Sequence, residues 1–347
     1  MNSPKRIMFL GGSITVGGVA SDYSRSWARL TYERIAGPLF GGNCEMLNAS
    51  LSGTGSFFAA MRLSRHVLPY RPHMVFVEFA VNDFHESQND PQTVISSLDY
   101  IVRRLTEANP ETVIVFVYTS LSGKNASETY GIVAKHHNIP EIDLQTPLKK
   151  LIEAENKSWR DYMPDGVHPN DEGHRFYADV VSETVLGNRE RFLTPTRPSE
   201  KPLSTHSFRD PQIIPVSSET EQSGFELVPG DDMEELKHLP ELVIRNALYS
   251  EKEGATVTVR FEGTHFGIYH RIGGKMGRAE VRIDGEFVGI LDCFYSYADP
   301  KLPGEYCCFF RKHGITPGKH VAEIRVLGEK NEKSNGNRVV LAGFLAG

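Results

Sequence analysis

Two short stretches carry side chains whose types and spacing could perform acyl transfer. The first is Gly11-Gly12-Ser13, reached at the end of the apolar run Ile7-Met8-Phe9-Leu10. A continuous apolar run that breaks into glycines reads as a buried strand released into a turn. Ser13 then sits at the carboxyl end of a strand, where ligands bind in open α/β sheets and where a following helix aims backbone N–H groups. The second is Asp165-Gly166-Val167-His168, a carboxylate and an imidazole three residues apart and able to share one turn. Acyl transfer needs a nucleophilic hydroxyl, a general base, a carboxylate that fixes the tautomer of that base, and donors for an oxyanion. Taken alone, the glycine turn also suits a phosphate or dinucleotide loop, or a plain tight turn. Spacing speaks against two of these, because neither Gly11 nor Gly12 starts a G-x-G-x-x-G series and no Gly-Lys-Ser/Thr follows.

The elements that must position these groups alternate. Strands are expected at Arg6–Leu10, Glu45–Ala49, Met74–Phe79, Thr112–Tyr118 and Glu141–Leu144, with helices over 24–36, 57–68, 91–108, 127–137 and 170–185. Gly37-Pro38 is read as the stop of the first helix, and Met74-Val-Phe-Val-Glu-Phe79 as a strand buried on both faces. Strand–helix alternation with right-handed crossovers gives an α/β fold, a three-layer α/β/α sandwich on a parallel sheet. That topology brings three strand ends to one edge: Ser13, Gly53 in Asn48-Ala-Ser-Leu-Ser-Gly-Thr-Gly55, and Asn82 in Ala80-Val-Asn-Asp83. The order Ser, Asp, His lacks the Gly-x-Ser-x-Gly elbow of the α/β-hydrolases, so a triad here belongs to another fold.

With 347 residues the chain is expected to hold two domains: a catalytic one over 1–187, a linker over 188–215 punctuated by five prolines, and an accessory one over 216–347. In the last region the apolar pattern shortens to period two, with Asp284-Gly285 as a hairpin turn, which reads as an antiparallel β-sandwich or jelly roll. A net charge of -6 argues against nucleic-acid and anionic-membrane partners and leaves a small or neutral ligand. Cys44, Cys293, Cys307 and Cys308 form no Cys-x-x-Cys pair, so structural zinc and a disulfide scaffold are not expected. Adjacent His136 and His137 do not share a helix face and are read as core or solvated residues rather than ligands. Lacking an apolar signal region or a membrane-length run, the protein is expected to be soluble and cytoplasmic.

Four blocks together resemble the SGNH hydrolases, also called GDSL-type esterases: Gly11-Gly12-Ser13, the stretch around Gly53, Ala80-Val-Asn82-Asp83, and Asp165-Gly-Val-His168. The likeness covers roughly residues 5–186 and departs from the family pattern twice. Gly12 replaces the aspartate of Gly-Asp-Ser, as in a branch that reads Gly-Gly-Ser-Ile-Thr, and Ala80 replaces a glycine. The resemblance implies catalytic roles for Ser13 as nucleophile, His168 as base and then acid, and Asp165 as the group that orients His168. It further implies an oxyanion hole made by the backbone N–H groups of Ser13 and Gly53 and the side chain of Asn82, with no metal or cofactor required.

The second domain resembles the β-sandwich modules of some carbohydrate esterases, and its aromatics Tyr249, Tyr269, Tyr295 and Tyr297 are read as core or hairpin residues before a sugar platform. The expectation is a serine esterase that removes short acyl groups, acetyl foremost, from a carbohydrate or other polar ester. A lipolytic esterase or thioesterase, and a carbohydrate-binding protein with an inert hydrolase domain, stay open as alternatives, as does a homo-oligomer. Turnover is expected to fall in acid, since an imidazolium cannot accept the serine proton.

Overall fold

A computed structural model describes residues 3–203, 208, 210–229, 246–295 and 305–347, with side chains from 310 in the last segment. The chain divides into two compact units, Met1–Thr205 and His206–Gly347. In the first unit β1 (Lys5–Gly11), α1 (Ser13–Val16), α2 (Trp27–Phe40), β2 (Cys44–Asn48) and α3 (Ser56–His66) lead to β3 (Met74–Glu78). Then follow α4 (Phe84–Asn89), α5 (Pro91–Ala108), β4 (Val113–Tyr118), α6 (Ser127–His137) and β5 (Glu141–Asp143). Helices α7 (Gln145–Glu155), α8 (Trp159–Tyr162), α9 (Asp171–Gly187) and α10 (Arg189–Leu193) complete it.

All five strands run parallel in the order β2-β1-β3-β4-β5, the doubly wound arrangement whose ligand crevice opens at the strands' carboxyl ends. The pleat divides the core. Ile7, Phe9, Met74, Phe76, Val113, Val115 and Val117 pack with Trp27 of α2 and Tyr177, Val181 and Val185 of α9. On the other face Phe116 of β4 meets Tyr130 of α6 edge-on, their ring centroids 5.4 Å apart. Phe9 stacks on Phe76 and Trp27 stands at right angles to both, so truncating Phe76 to Ala removes a fully buried ring and should cost about 3–5 kcal/mol.

Two local expectations are corrected. Helix α2 does not stop at Gly37-Pro38 but continues through Pro38 to Phe40 and ends at Gly41 in the left-handed conformation. Leu39 and Phe40 pack against the core, and that burial carries the last turn past the hydrogen bond that proline removes. The stretch 188–215, read as linker, holds α10 and a strand. Thr196 donates its N–H to Thr112 O and accepts the Ile114 N–H at Oγ1, and Arg103 reaches the carbonyls of Ser199 and Lys201, so these residues pack on the first unit despite their prolines.

The second unit is antiparallel. Its strands are β6 (Gln212–Pro215), β7 (Gln222–Ser223), β8 (Glu226–Pro229), β9 (Asn246–Ser250), β10 (Thr256–Gly263) and β11 (Phe266–Ile272). They continue with β12 (Arg278–Ile283), β13 (Glu286–Asp292), β14 (Glu305–Lys312), β15 (Gly318–Val326) and β16 (Val339–Ala346). Among the described residues one sheet runs β13-β12-β15-β10-β7 and the other β14-β11-β16-β9-β8, with β6 also paired to β16. The alternating burial of β10, β12 and β15 is the half-covered pattern of a sandwich sheet. Asp284 sits at φ +53° and Gly285 at φ +82° in the hairpin between β12 and β13, as their sequence suggests. No helix among the described residues is long and apolar enough to cross a membrane.

Candidate active site

The end of β1 is built for close approach. Gly12 caps α1 with its carbonyl, which accepts from Thr15 and Val16, so Ser13 becomes the first residue of a helix at the sheet's carboxyl edge. A Cβ placed on Gly12 would run into the carboxamide oxygen of Asn82. Glycine at position 12, where the commoner Gly-Asp-Ser pattern has aspartate, therefore leaves room for the Asn82 side chain against the turn that carries Ser13. Leu51 N–H donates to Gly11 O at 3.0 Å and ties the following turn to β1; Gly53 lies in that turn at φ +70°, a conformation that glycine adopts without strain. Among the described residues the N–H groups of Ser13 and Gly53 and the Asn82 amide donate to no protein acceptor.

His168 reaches Ser13 from 155 residues away, with Nε2 2.7 Å from Ser13 Oγ. Its Nδ1 lies 2.6 Å from Asp165 Oδ2, while Asp165 Oδ1 accepts the backbone N–H groups of Val167 and His168 at 2.8 Å each. A carboxylate only accepts, so Nδ1 carries the imidazole proton and Nε2 is free to accept from the serine hydroxyl. Burial acts to raise the Asp165 pKa, but the bonds from His168 and the two backbone N–H groups outweigh it and hold the carboxyl below its ordinary range. Trp159 braces this loop by donating Nε1–H to Gly166 O at 3.1 Å. Ser13, Asp165 and His168 thus form one continuous hydrogen-bonded chain, with Asn82 beside Gly12.

Residues 9–176 match the model of the GDSL-like lipase/acylhydrolase family. They form a GDSL-like acylhydrolase domain. The protein is accordingly a carboxylic ester hydrolase. The whole chain is similar in fold to a two-domain esterase active on acetylated mannans, with 24% identity, a TM-score of 0.77, and 99% of this chain and 91% of that one covered. It is equally similar to the same type of esterase crystallised with mannopentaose, at 22% identity and a TM-score of 0.78, with coverages of 99% and 90%. No curated protein sequence matches the chain.

Behind the GDSL-like site lie two buried carboxylates: Asp83, the last residue of the third block, and Glu78, which motif spacing does not single out. Asp83, beside Asn82, accepts the Ser56 N–H at the start of α3 and the Tyr130 hydroxyl at 2.7 Å, so it caps one helix and anchors another. Glu78, at the end of β3, accepts one hydroxyl at each carboxylate oxygen, Thr15 and Thr119, both at 2.6 Å, and its backbone carbonyl accepts Gly12 N–H. Complete burial pushes its pKa up to about 7, against the lowering effect of those hydrogen bonds and with a further push from Asp83. The folded state then holds this proton more tightly than the unfolded chain. The contribution of this one carboxyl to stability is fully present below about pH 4.5 and is lost as pH rises through about 7, by on the order of 3 kcal/mol. Glu78→Gln should remove that slope: denaturant unfolding at pH 5 and pH 8 should show a loss in the wild type that the variant lacks. Equal slopes in the two proteins would contradict the assignment.

Asp99, His136 and His137 do come together, their donor atoms within 4.8 Å, although the sequence offered no carboxylate nearby. Each of the three residues is engaged in hydrogen bonds within the protein. His137 pairs Nε2 with Asp99 and accepts Ser199 N–H at Nδ1, while His136 donates to Lys201 O. The cluster docks the segment after α10 onto α5 and α6.

In the second unit Tyr269 is buried, Tyr249 is half-buried with its hydroxyl on Glu251, and Tyr295 has an exposed ring; Tyr297 lies outside the described residues. Cys44 and Cys293 are free thiols, and the side chains of Cys307 and Cys308 lie outside the described residues.

Proposed function

We propose that this ester hydrolase removes short acyl groups, acetyl foremost, from a carbohydrate ester through an acyl-Ser13 intermediate. The observation that carries this reading is the relay from Asp165 through His168 to Ser13 Oγ, at 2.6 and 2.7 Å. Ser13 Oγ attacks the ester carbonyl carbon while His168 Nε2 takes its proton. The carbonyl oxygen, now negative, is held by the N–H groups of Ser13 and Gly53 and by the Asn82 amide. Collapse expels the sugar hydroxyl, which receives the proton from His168. Water, deprotonated by the same imidazole, then attacks the acyl carbon and frees acetate and Ser13.

The substrate class is supported by the two-domain esterase active on acetylated mannans, whose fold extends over both units of this chain. Acetate release from acetylated mannan, xylan and glucosides, together with 4-nitrophenyl esters from acetate to decanoate, tests reaction and substrate at once. Acetate should be released from at least one polysaccharide, and kcat/KM should fall as the acyl chain lengthens. A rising profile toward decanoate would instead mark a lipolytic enzyme and overturn the substrate class.

A further inference from the structure

The first turn of α9 ties together the segments that carry Ser13 and His168. His174, fully buried, accepts the Trp27 backbone N–H at Nδ1 and lies with Nε2 on the Gly18 carbonyl, both at 3.2 Å. A backbone N–H can only donate, so Nδ1 is unprotonated and Nε2–H donates to Gly18. Burial pushes the His174 pKa down to about 4, which keeps the ring neutral. Three residues earlier Asp171 accepts the N–H and hydroxyl of Ser21 and one N–H of Arg25.

Gly18 is the joint. Its N–H donates to Ser13 O at 2.8 Å, its carbonyl accepts from His174, and a Cβ on it would lie 2.9 Å from His168 Cδ2. The amide and carbonyl of one residue therefore bond the nucleophile's backbone and His174, while the space a side chain would fill on its Cα is taken by the general base's ring. Val19, next in the chain, is held at φ +68° although β-branched, and is 48% exposed. Such a residue leaves the left-handed region unless its neighbours hold it there.

We propose that His174 is a positioning residue for the hydrolysis: through Gly18 it holds Ser13 Oγ and His168 Nε2 at proton-transfer distance, and Asp171 fixes the outer half of the same loop. This rests on the reading of Ser13 and His168 as nucleophile and base. Misplacing reacting groups by about 1 Å costs on the order of 100-fold in rate.

The test is kcat for 4-nitrophenyl acetate, expressed per active site titrated with an organophosphate, in H174L, H174Q and D171A. H174L should lose about 10- to 100-fold in kcat per titrated site with KM within about twofold. H174Q should recover most of the loss, because its amide N–H reaches the Gly18 carbonyl. A role confined to folding would lower the number of titrated sites and leave kcat per site unchanged, and that result in H174L overturns the proposal. Should H174L not fold, D171A decides: a fall of about 3- to 10-fold per site supports the tether, and an unchanged value overturns it. S13A, assayed alongside, separates the two layers, since wild-type turnover in S13A would remove the reading on which the proposal stands.

Discussion

Ser13→Ala should leave a folded chain whose turnover of 4-nitrophenyl acetate is lower by roughly 10^5-fold, and His168→Ala should do nearly the same. Ser13 Oγ and His168 Nε2 are 2.7 Å apart, and in the proposed relay they share one proton, so neither acts there without the other. The double variant should accordingly be no slower than either single one. Both side chains are partly exposed and outside the hydrophobic core, so melting temperatures should move little. Multiplying effects in the double variant would mean two independent routes to product and would contradict a shared relay.

Gly12→Asp, which restores the commoner Gly-Asp-Ser pattern, should lower kcat by roughly 10^2- to 10^3-fold. A Cβ at position 12 runs into the Asn82 carboxamide, so the added side chain displaces the amide read as an oxyanion donor. Loss of one such donor has that magnitude, and Asn82→Ala should match it. If Gly12→Asp works only through Asn82, combining the two should cost no more than the larger single effect. Wild-type kcat in Gly12→Asp would show that the amide moves aside freely and contributes nothing at the turn.

The parallel sheet was legible because Ile7–Leu10, Met74–Phe79 and Val113–Tyr118 are continuous apolar runs, which only strands covered on both faces require. The four blocks were legible as polar or glycine-rich turns at three strand ends, around Ser13, Gly53 and Asn82, and as a short-range Asp165–His168 pair just before the last long helix. What escaped depends on contacts distant in sequence. Glu78 is one polar residue in an apolar strand, and its role appears only when Thr15 and Thr119 close on its two oxygens. His174 reads as one more helical position until α9 is laid against the loop at Gly18. Asp99 is 38 residues from His137 and invisible to local spacing. The prolines after 187 suggested a linker, whereas hydrogen bonds to β4 and α5 fasten residues 196–201 to the first unit. In the same way, tertiary burial of Leu39 and Phe40 overrode the stop signal at Pro38.

Trapping the nucleophile is the most direct measurement. Incubation with diethyl 4-nitrophenyl phosphate, followed by intact-mass analysis and peptide mapping, should yield one diethylphosphoryl group per chain, on Ser13, with activity lost in proportion. The adduct should not form in Ser13→Ala. Full inactivation with the label on another residue, or undiminished activity with Ser13 fully modified, would show that ester cleavage does not pass through this hydroxyl.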